Sequence, residues 1–367
     1  MPLNIHNTHR RYLRLLSSMQ NNFLQWTTII VIVFIIMACA RSIDLNPKKN
    51  LIFDVPEGWP QPVYNFSKNP LTASKIALGR MIFYDPILSR DSTISCASCH
   101  LSYTAFTHTD HDLSHGIEDR IGTRNSLTLT NLAWSPSFMW DGAVNHLDMQ
   151  SLAPISHSTE MDFDIELVIN RLNSNFKYQT AFTEAWGSEL ITGERFLKSI
   201  SQFVLTLVTS NSKYDQIMRS EAGVEFTEKE QKGYEQFKAK CSSCHVEPLF
   251  TDYSYQNNGL AVDSTLNDSG RMLITKNSID SLKFKVPSLR NIEFSYPYMH
   301  DGRFRRLKFV MKHYSKGIVE HDNLAKQLRG KINLSSDERV ELIAFLKTLT
   351  DKEFLFNKSF TYPKSHH

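Results

Sequence analysis

Apolar positions recur at helical spacing in four stretches of the chain. In "LTASKIALGRMIFYD", Ile76, Gly79, Ile82 and Phe83 fall on one face. In "ERFLKSISQFVLTLVTS" the stripe is Phe196, Ile200, Phe203, Val204 and Leu207. "FTEKEQKGYEQFKAK" opens on a Thr227/Glu230 capping box and aligns Gly233, Tyr234 and Phe237. "SSDERVELIAFLKTLT" opens on a Ser335/Glu338 box and is expected to bury Val340, Ile343, Leu346 and Leu349. No alternating apolar–polar run of useful length occurs, so the pattern predicts a mainly α fold with long loops. The first and third helices share a Gly-x-x-x-Phe element, a weak internal repeat in which glycine lets another helix approach closely. The second and fourth helices are read as closing two successive domains, 71–215 and 216–367, with the boundary near "NSKYDQ" at 211–216.

The N-terminus has a different pattern. Arg10, Arg11 and Arg14, with no acid, precede the apolar run "TTIIVIVFIIMACA", which is short for a membrane span. Its end, Ile36-Met37-Ala38-Cys39, resembles a bacterial lipobox, so residues 1–38 read as a lipoprotein-type signal peptide; an uncleaved signal anchor is the alternative. Either predicts export to the periplasm, and a lipidated Cys39 would tether the protein to a membrane without making it integral. Residues 39–70, rich in proline and asparagine towards Pro70, read as the tether. Losing three arginines from 41 basic residues leaves 38, matching 38 acids. That balance argues against a nucleic-acid partner.

Cysteine usage changes the picture most. Four of the five cysteines lie in "ISCASCH" and "KCSSCH", as Cys96, Cys99 and His100, then Cys241, Cys244 and His245. Zinc, a redox dithiol and covalent haem all use Cys-x-x-Cys. A histidine directly after the second cysteine favours haem, because two thiols can form thioethers to the vinyl groups while the adjacent imidazole ligates iron. The pattern occurs twice in a chain marked for export, and no cysteine pair remains for a structural disulfide. Two cytochrome c-like domains, each with one covalently bound c-type haem, follow as the expected fold.

With these motifs 145 residues apart, the rest of the chain resembles the bacterial di-haem cytochrome c peroxidases and their MauG-type relatives. The resemblance runs from about Leu71 to Thr350. It is carried by "LGRMIFYDPILSRDSTISCASCH", "GTRNSLTLTN", "FMWDGAVNHLDMQSLAPI", Glu160-Met161, "FKVPSLRN" and "YPYMHDGRF". It implies a peroxidatic haem at His100 and an electron-entry haem at His245. It implies Glu160 as the distal acid/base with Gln150 as its polar neighbour, and Trp140 between the haems, with Trp134 as a nearby decoy. Read without the family, Glu160 is an exposed helix-start glutamate and Trp140 an ordinary core tryptophan. The resemblance also implies a Ca²⁺ held by Asn125, Ser295 and Pro297.

Two positions depart from the peroxidase pattern. The sixth ligand of the second haem is a methionine in the peroxidases and a tyrosine in MauG; fourteen residues beyond His300 stands Tyr314, with Met311 one helical turn earlier as the alternative. On the first haem, a removable distal histidine would come from "THTDHDLSHGIEDRIGTRN", where His115 has the most similar context beside His108 and His111. A solvated loop histidine is the other reading for each. Three functions stay in contention. The first is reduction of hydrogen peroxide with electrons from a small cytochrome or cupredoxin. The second is a MauG-like oxidase acting on a protein, and the third an electron carrier without peroxide turnover. The resemblance also implies a homodimer.

Overall fold

A computed structural model of the chain describes residues 49–330 and 332–363; the stretch read as a signal peptide and Cys39 lie outside the described residues. The first hydrophobic core is built on α1 (Ala73–Tyr84), which Thr72 caps by accepting from the Lys75 N–H and which gives way to Pro86. The short α2 (Cys96–Cys99) holds the first cysteine motif. After a long loop come α3 (Leu147–Gln150), α4 (Leu152–Ser156), α5 (Ile165–Asn173), α6 (Phe176–Trp186) and α7 (Gly193–Leu205). The whole expected stripe of α7 is buried, Phe196 and Leu207 completely.

The chain crosses to a second core through α8 (Lys213–Met218) and α9 (Glu228–Lys240). The paired strands β1 (Tyr255–Gln256) and β2 (Phe284–Lys285) flank α10 (Met272–Thr275). Then follow α11 (Leu307–Lys312), α12 (Ser336–Lys347) and α13 (Lys352–Leu355). Both predicted capping boxes form, Thr227 with Glu230 and Ser335 with Glu338. Among the described residues no helix is long and apolar enough to cross a membrane.

The glycine repeat has a structural meaning. A Cβ on Gly79 would collide with the Ser199 carbonyl of α7 and crowd Phe203, while one on Gly233 would collide with the Glu341 carbonyl of α12 and crowd Phe345. Each core is therefore centred on one close helix crossing that pairs Gly-x-x-x-Phe with a partner phenylalanine four residues after the contacted carbonyl. Gly233→Ala is expected to lower stability by about 1–3 kcal/mol despite alanine's better helix propensity, because the added methyl meets backbone. At Gly193 a methyl would meet nothing within 4 Å, so its alanine variant is the comparator that should keep its urea midpoint.

Three expectations are corrected here. Val340 is 52% exposed, and α12 instead buries Leu342, Phe345 and Leu346, with Leu349 just beyond it. Steps of three residues drift by about 60° per step, so an i, i+3 series cannot stay on one face, whereas 342, 345, 346 and 349 can. From residue 49 on, the stretch read as a tether is a strap. Phe53, Trp59, Tyr64 and Phe66 pack on the first core, the Val63 and Tyr64 N–H groups donate to the Ala133 carbonyl, and Trp134 Nε1 donates to the Pro60 carbonyl at 2.7 Å. The chain end also returns: Phe354 and Leu355 join the first core, and Tyr84 Oη donates to the Phe360 carbonyl. Residues 47–367 form one compact unit around two cores.

Candidate functional site

The two cysteine motifs are built alike. In α2, Ser95 and Ser98 cap each other, and one helical turn puts Cys96 and Cys99 on the same side. The second motif continues from α9, where the Cys241 N–H donates to the Phe237 carbonyl at 2.8 Å. In each, the histidine leaves the turn and its Nδ1 lies against a phenylalanine carbonyl, His100 on Phe106 at 2.7 Å and His245 on Phe250 at 3.0 Å. The two phenylalanines have positive φ, 58° and 56°, which turns their carbonyls back towards the ring. An Nδ1–H held this way leaves Nε2 as the free ligand atom. Burial lowers both histidines, His100 to about 4, so both are neutral at physiological pH.

The thiols do not fit a redox dithiol. Burial pushes Cys96 and Cys241 up to about 12 and Cys99 to about 11, whereas disulfide chemistry needs a readily formed thiolate. Zinc fares no better: among the described residues no three His, Cys, Asp or Glu side chains are grouped to hold a metal. Haem fits the surroundings of the second motif. Cys241, Cys244 and His245 line a cleft with about 1580 Å³ of atom-free space, counting its open mouth, with a mostly apolar wall. One lining group is Lys285, 8% exposed, whose ammonium donates to the Ser137 carbonyl and makes no ion pair among the described residues. Burial lowers it to about 7. A ligand that brings its own carboxylates, as haem does, satisfies that charge.

Tyr314 and Met311 both line this cleft. Tyr314 lies in a π-helical turn, His313–Gly317, that follows α11 directly. Burial raises its phenol to about 12, the Asn258 side chain opposes this, and Cys241 and Cys244 add to the rise. Its hydroxyl thus lies within electrostatic reach of both thiols of the motif. The spacing of three residues keeps Met311 on the same side, so sequence and structure leave the same pair facing the haem site.

Trp140 and the first motif meet the same cleft. Trp140 Nε1 donates to the Asn125 carbonyl at 2.8 Å, and its own carbonyl accepts from Lys285 N at 2.7 Å. Asn125, Ser126, Leu127 and Thr128 line the cleft, and the Leu127 backbone is also within hydrogen-bonding reach of the buried His100 ring. Trp140 is therefore bonded on one side to a segment touching His100 and on the other to β2 beside the second motif. Trp134 is in the first core, away from this arrangement. Asn125, Ser295 and Pro297 share the cleft, with Asn125 Nδ2 donating to the Asp112 carbonyl at 3.0 Å and leaving Oδ1 as a hard donor.

Glu160 is not at a helix start. It sits half-buried in a turn after α4, where the Ile117 N–H donates to its carbonyl at 2.9 Å and Gly116 makes room for its backbone. Burial raises its carboxyl pKa, with His157 opposing, and the carboxylate in turn raises both Cys96 and Cys99. The carboxyl is thus within electrostatic reach of both thiols of the first motif. Gln150 ends α3, with its amide against the Met139 sulfur at 3.9 Å. The carbonyl of His115 accepts from the Cys99 thiol at 3.4 Å, but its ring stacks on His111 at 4.0 Å, and His111 on His108 at 5.1 Å.

Comparison with known proteins decides the family. The model described as "Di-haem cytochrome c peroxidase" matches residues 73–223. The methylamine utilization protein MauG of Methylophilus methylotrophus is 32% identical over 327 residues, 88% of this chain and 94% of that one. The chain belongs to the di-haem cytochrome c peroxidase and MauG family. Cytochrome c551 peroxidase of Nitrosomonas europaea is 34% identical over 77% of this chain and 81% of its own. Among solved structures, a MauG-like protein associated with microbial copper homeostasis superposes with a TM-score of 0.75 at 30% identity, covering 85% of this chain and 99% of that one. Family membership implies two c-type haems, which the paired motifs fit.

Sequence reasoning missed an ionic lock that joins three distant segments. Arg124 holds Asp268 through both Nε and Nη2, at 2.6 and 2.9 Å, and Asp141 through Nη1 at 2.6 Å. His300 stacks on Phe284 at 3.6 Å beside it, neutral because burial lowers it to about 4. Arg124 and Asp141 lie in two of the family blocks, but nothing in the sequence pairs either with Asp268.

Proposed function

We propose that this di-haem peroxidase reduces hydrogen peroxide to water with electrons from a small periplasmic carrier. The haems, when bound, would supply the one-electron redox chemistry that links the donor to peroxide. The carrying observation is Glu160, a partly buried carboxyl with a raised pKa at the cysteines of the first motif. It can take a proton from one peroxide oxygen and return it to the other, the movement that O–O cleavage requires. Gln150 orders the polar side of this site. His100 and His245 serve as proximal ligands, each fixed through Nδ1. Trp140, bonded to a segment touching His100 and to β2, supports an electron path between the lobes. Asn125, Ser295 and Pro297 are proposed to hold Ca²⁺ at the cleft. The basic and apolar N-terminus supports export and a membrane tether through Cys39, and the protein is proposed to work as a dimer. His115 is not included as a ligand, since its ring is engaged with His111.

A second reading rests on Tyr314. Were Tyr314 to ligate the second iron it would do so as a phenolate, which favours oxidised iron, as a MauG-like oxidase acting on a protein would need. Tyr314→Phe is expected to raise the midpoint potential of the second haem and shift its ferric absorption spectrum, with the first haem unchanged. If Met311→Leu instead lowers that potential and shifts the spectrum while Tyr314→Phe does neither, methionine is the ligand. The holoenzyme should next be mixed with peroxide and a reduced small cytochrome, starting fully oxidised and half-reduced. Rapid donor oxidation establishes the peroxidase. A new long-lived spectrum, distinct from that of the resting oxidised protein, that appears on adding peroxide while the donor stays untouched establishes the MauG-like reading. No response in either state leaves an electron carrier.

A further inference from the structure

The helix that closes the second cleft has two unlike faces. Leu307, Val310 and Met311 of α11 are buried at 6–8% exposure, and Val310 and Met311 line the cleft with His245. Outward, Arg306, Lys308, Lys312 and Lys316 are exposed around Phe309, a large aromatic left 42% exposed. The Lys308 ammonium lies 5.1 Å from the centre of the Phe309 ring. No Asp or Glu occurs from Gly302 to Val319, a stretch rich in Lys and Arg. Arg303 and Arg305 at its start are paired, with Asp301 and Asp112. Arg306, Lys308, Lys312 and Lys316 make no ion pair among the described residues, and no acid on the stretch itself offsets them. In a mature chain with balanced charge this is a local excess.

We propose that this outer face of α11 is the docking site of the electron donor, and that the donor is a small redox protein presenting acidic groups around an apolar edge. The inference rests on the proposed need for an external donor. One helix, roughly 10 Å across, separates the face from the cleft that fits the second haem. Unpaired cations steer an acidic partner to that face and orient it, raising the association rate without forming a tight complex. Phe309 supplies the desolvated centre such interfaces need, and its rim of flexible lysines keeps binding transient, as turnover demands. A membrane surface would meet the same charges, but a single exposed aromatic on a two-turn helix gives lipid little to bury.

The test is stopped-flow reduction of the oxidised holoprotein by a pre-reduced acidic cytochrome or cupredoxin, which needs no peroxide and so stands apart from the peroxidase assay. The second-order rate constant is expected to fall steeply with added salt. Lys308→Glu with Lys312→Glu should lower it by about tenfold or more at low ionic strength, and Phe309→Ser by a smaller factor. Reduction by a small neutral dye should be unchanged in every variant, which shows both haems intact. A basic donor should react slowly with the native chain and faster with the charge-reversed one. Unchanged rates with the acidic donor in the charge-reversed chain would overturn the proposal. So would binding to phosphatidylglycerol vesicles that is lost in that variant while donor reduction is kept.

Discussion

Glu160→Gln is expected to lower peroxide-dependent donor oxidation by about 10²–10⁴-fold, the usual contribution of a positioned acid/base. The amide keeps the shape of the side chain and cannot carry the proton. Folding should be unaffected, since the contacts that fix this turn, from the Ile117 N–H and around Gly116, use the Glu160 backbone. Stopped-flow traces of donor oxidation, with haem content measured beside them, check the loss. The pH profile is a second readout. Because burial raises this carboxyl, its basic form is lost as pH falls through a value above the ordinary glutamate range of about 4.3. Native activity should therefore decline on the acid side earlier than an exposed glutamate would dictate, and that limb should vanish from the residual activity of the variant. Native activity with an acid limb at the ordinary value would remove Glu160 from the mechanism.

Arg290→Met is expected to cost about 3–5 kcal/mol of stability at neutral pH, measured by urea unfolding of the holoprotein. Arg290 is completely buried, donates to both oxygens of Asp215 at 2.7 and 2.9 Å, and lies 4.5 Å from the Trp59 ring. Its Nε donates to the Pro248 carbonyl, in the loop whose Phe250 carbonyl positions His245. Without the guanidinium, the buried Asp215 charge has no cation. Burial tends to raise the Asp215 pKa, but the Arg290 pair and Ser212 outweigh it and hold it below the usual range. That stabilisation is present above the unfolded aspartate pKa of about 3.9 and is lost as pH falls through the lower folded value. In the variant only Ser212 opposes burial, so the pKa moves up from its native value, and acid neutralises Asp215 at a higher pH and relieves the penalty. The gap between native and variant stability should narrow as pH is lowered towards about 4. A gap that stays constant would mean that the loss is one of packing and not of charge.

The parts of the site legible in sequence are those whose chemistry is settled within a few residues. The Cys-x-x-Cys-His motifs and both capping boxes depend on neighbours at one to four positions, and these appear as expected. The Gly-x-x-x-Phe elements are legible as a repeat, although not the carbonyls of Ser199 and Glu341 that require their glycines. Glu160 and Trp140 are reached through the family blocks, since nothing local distinguishes a catalytic glutamate from a solvated one. Val340 is misplaced because a three-residue series does not hold to one face. The strap at 49–70 is misread because its proline and asparagine content outweighs its aromatic residues, which find their partners around Ala133 and Trp134.

The sequence alone determined that two cysteine–histidine motifs each follow a helix, that the fold is mainly helical and that the charge does not suit nucleic acid. These follow from composition and short-range spacing, which the chain has before it folds. Only the tertiary structure decided that Glu160 is half-buried near the first motif and that Trp140 bridges to the strand beside the second. It also decided that Arg124 locks Asp141 to Asp268 and that unpaired cations cover the helix over the second cleft. Each of these depends on groups brought together from distant parts of the chain, and the burial that shifts a pKa or leaves a charge unpaired exists only once they meet.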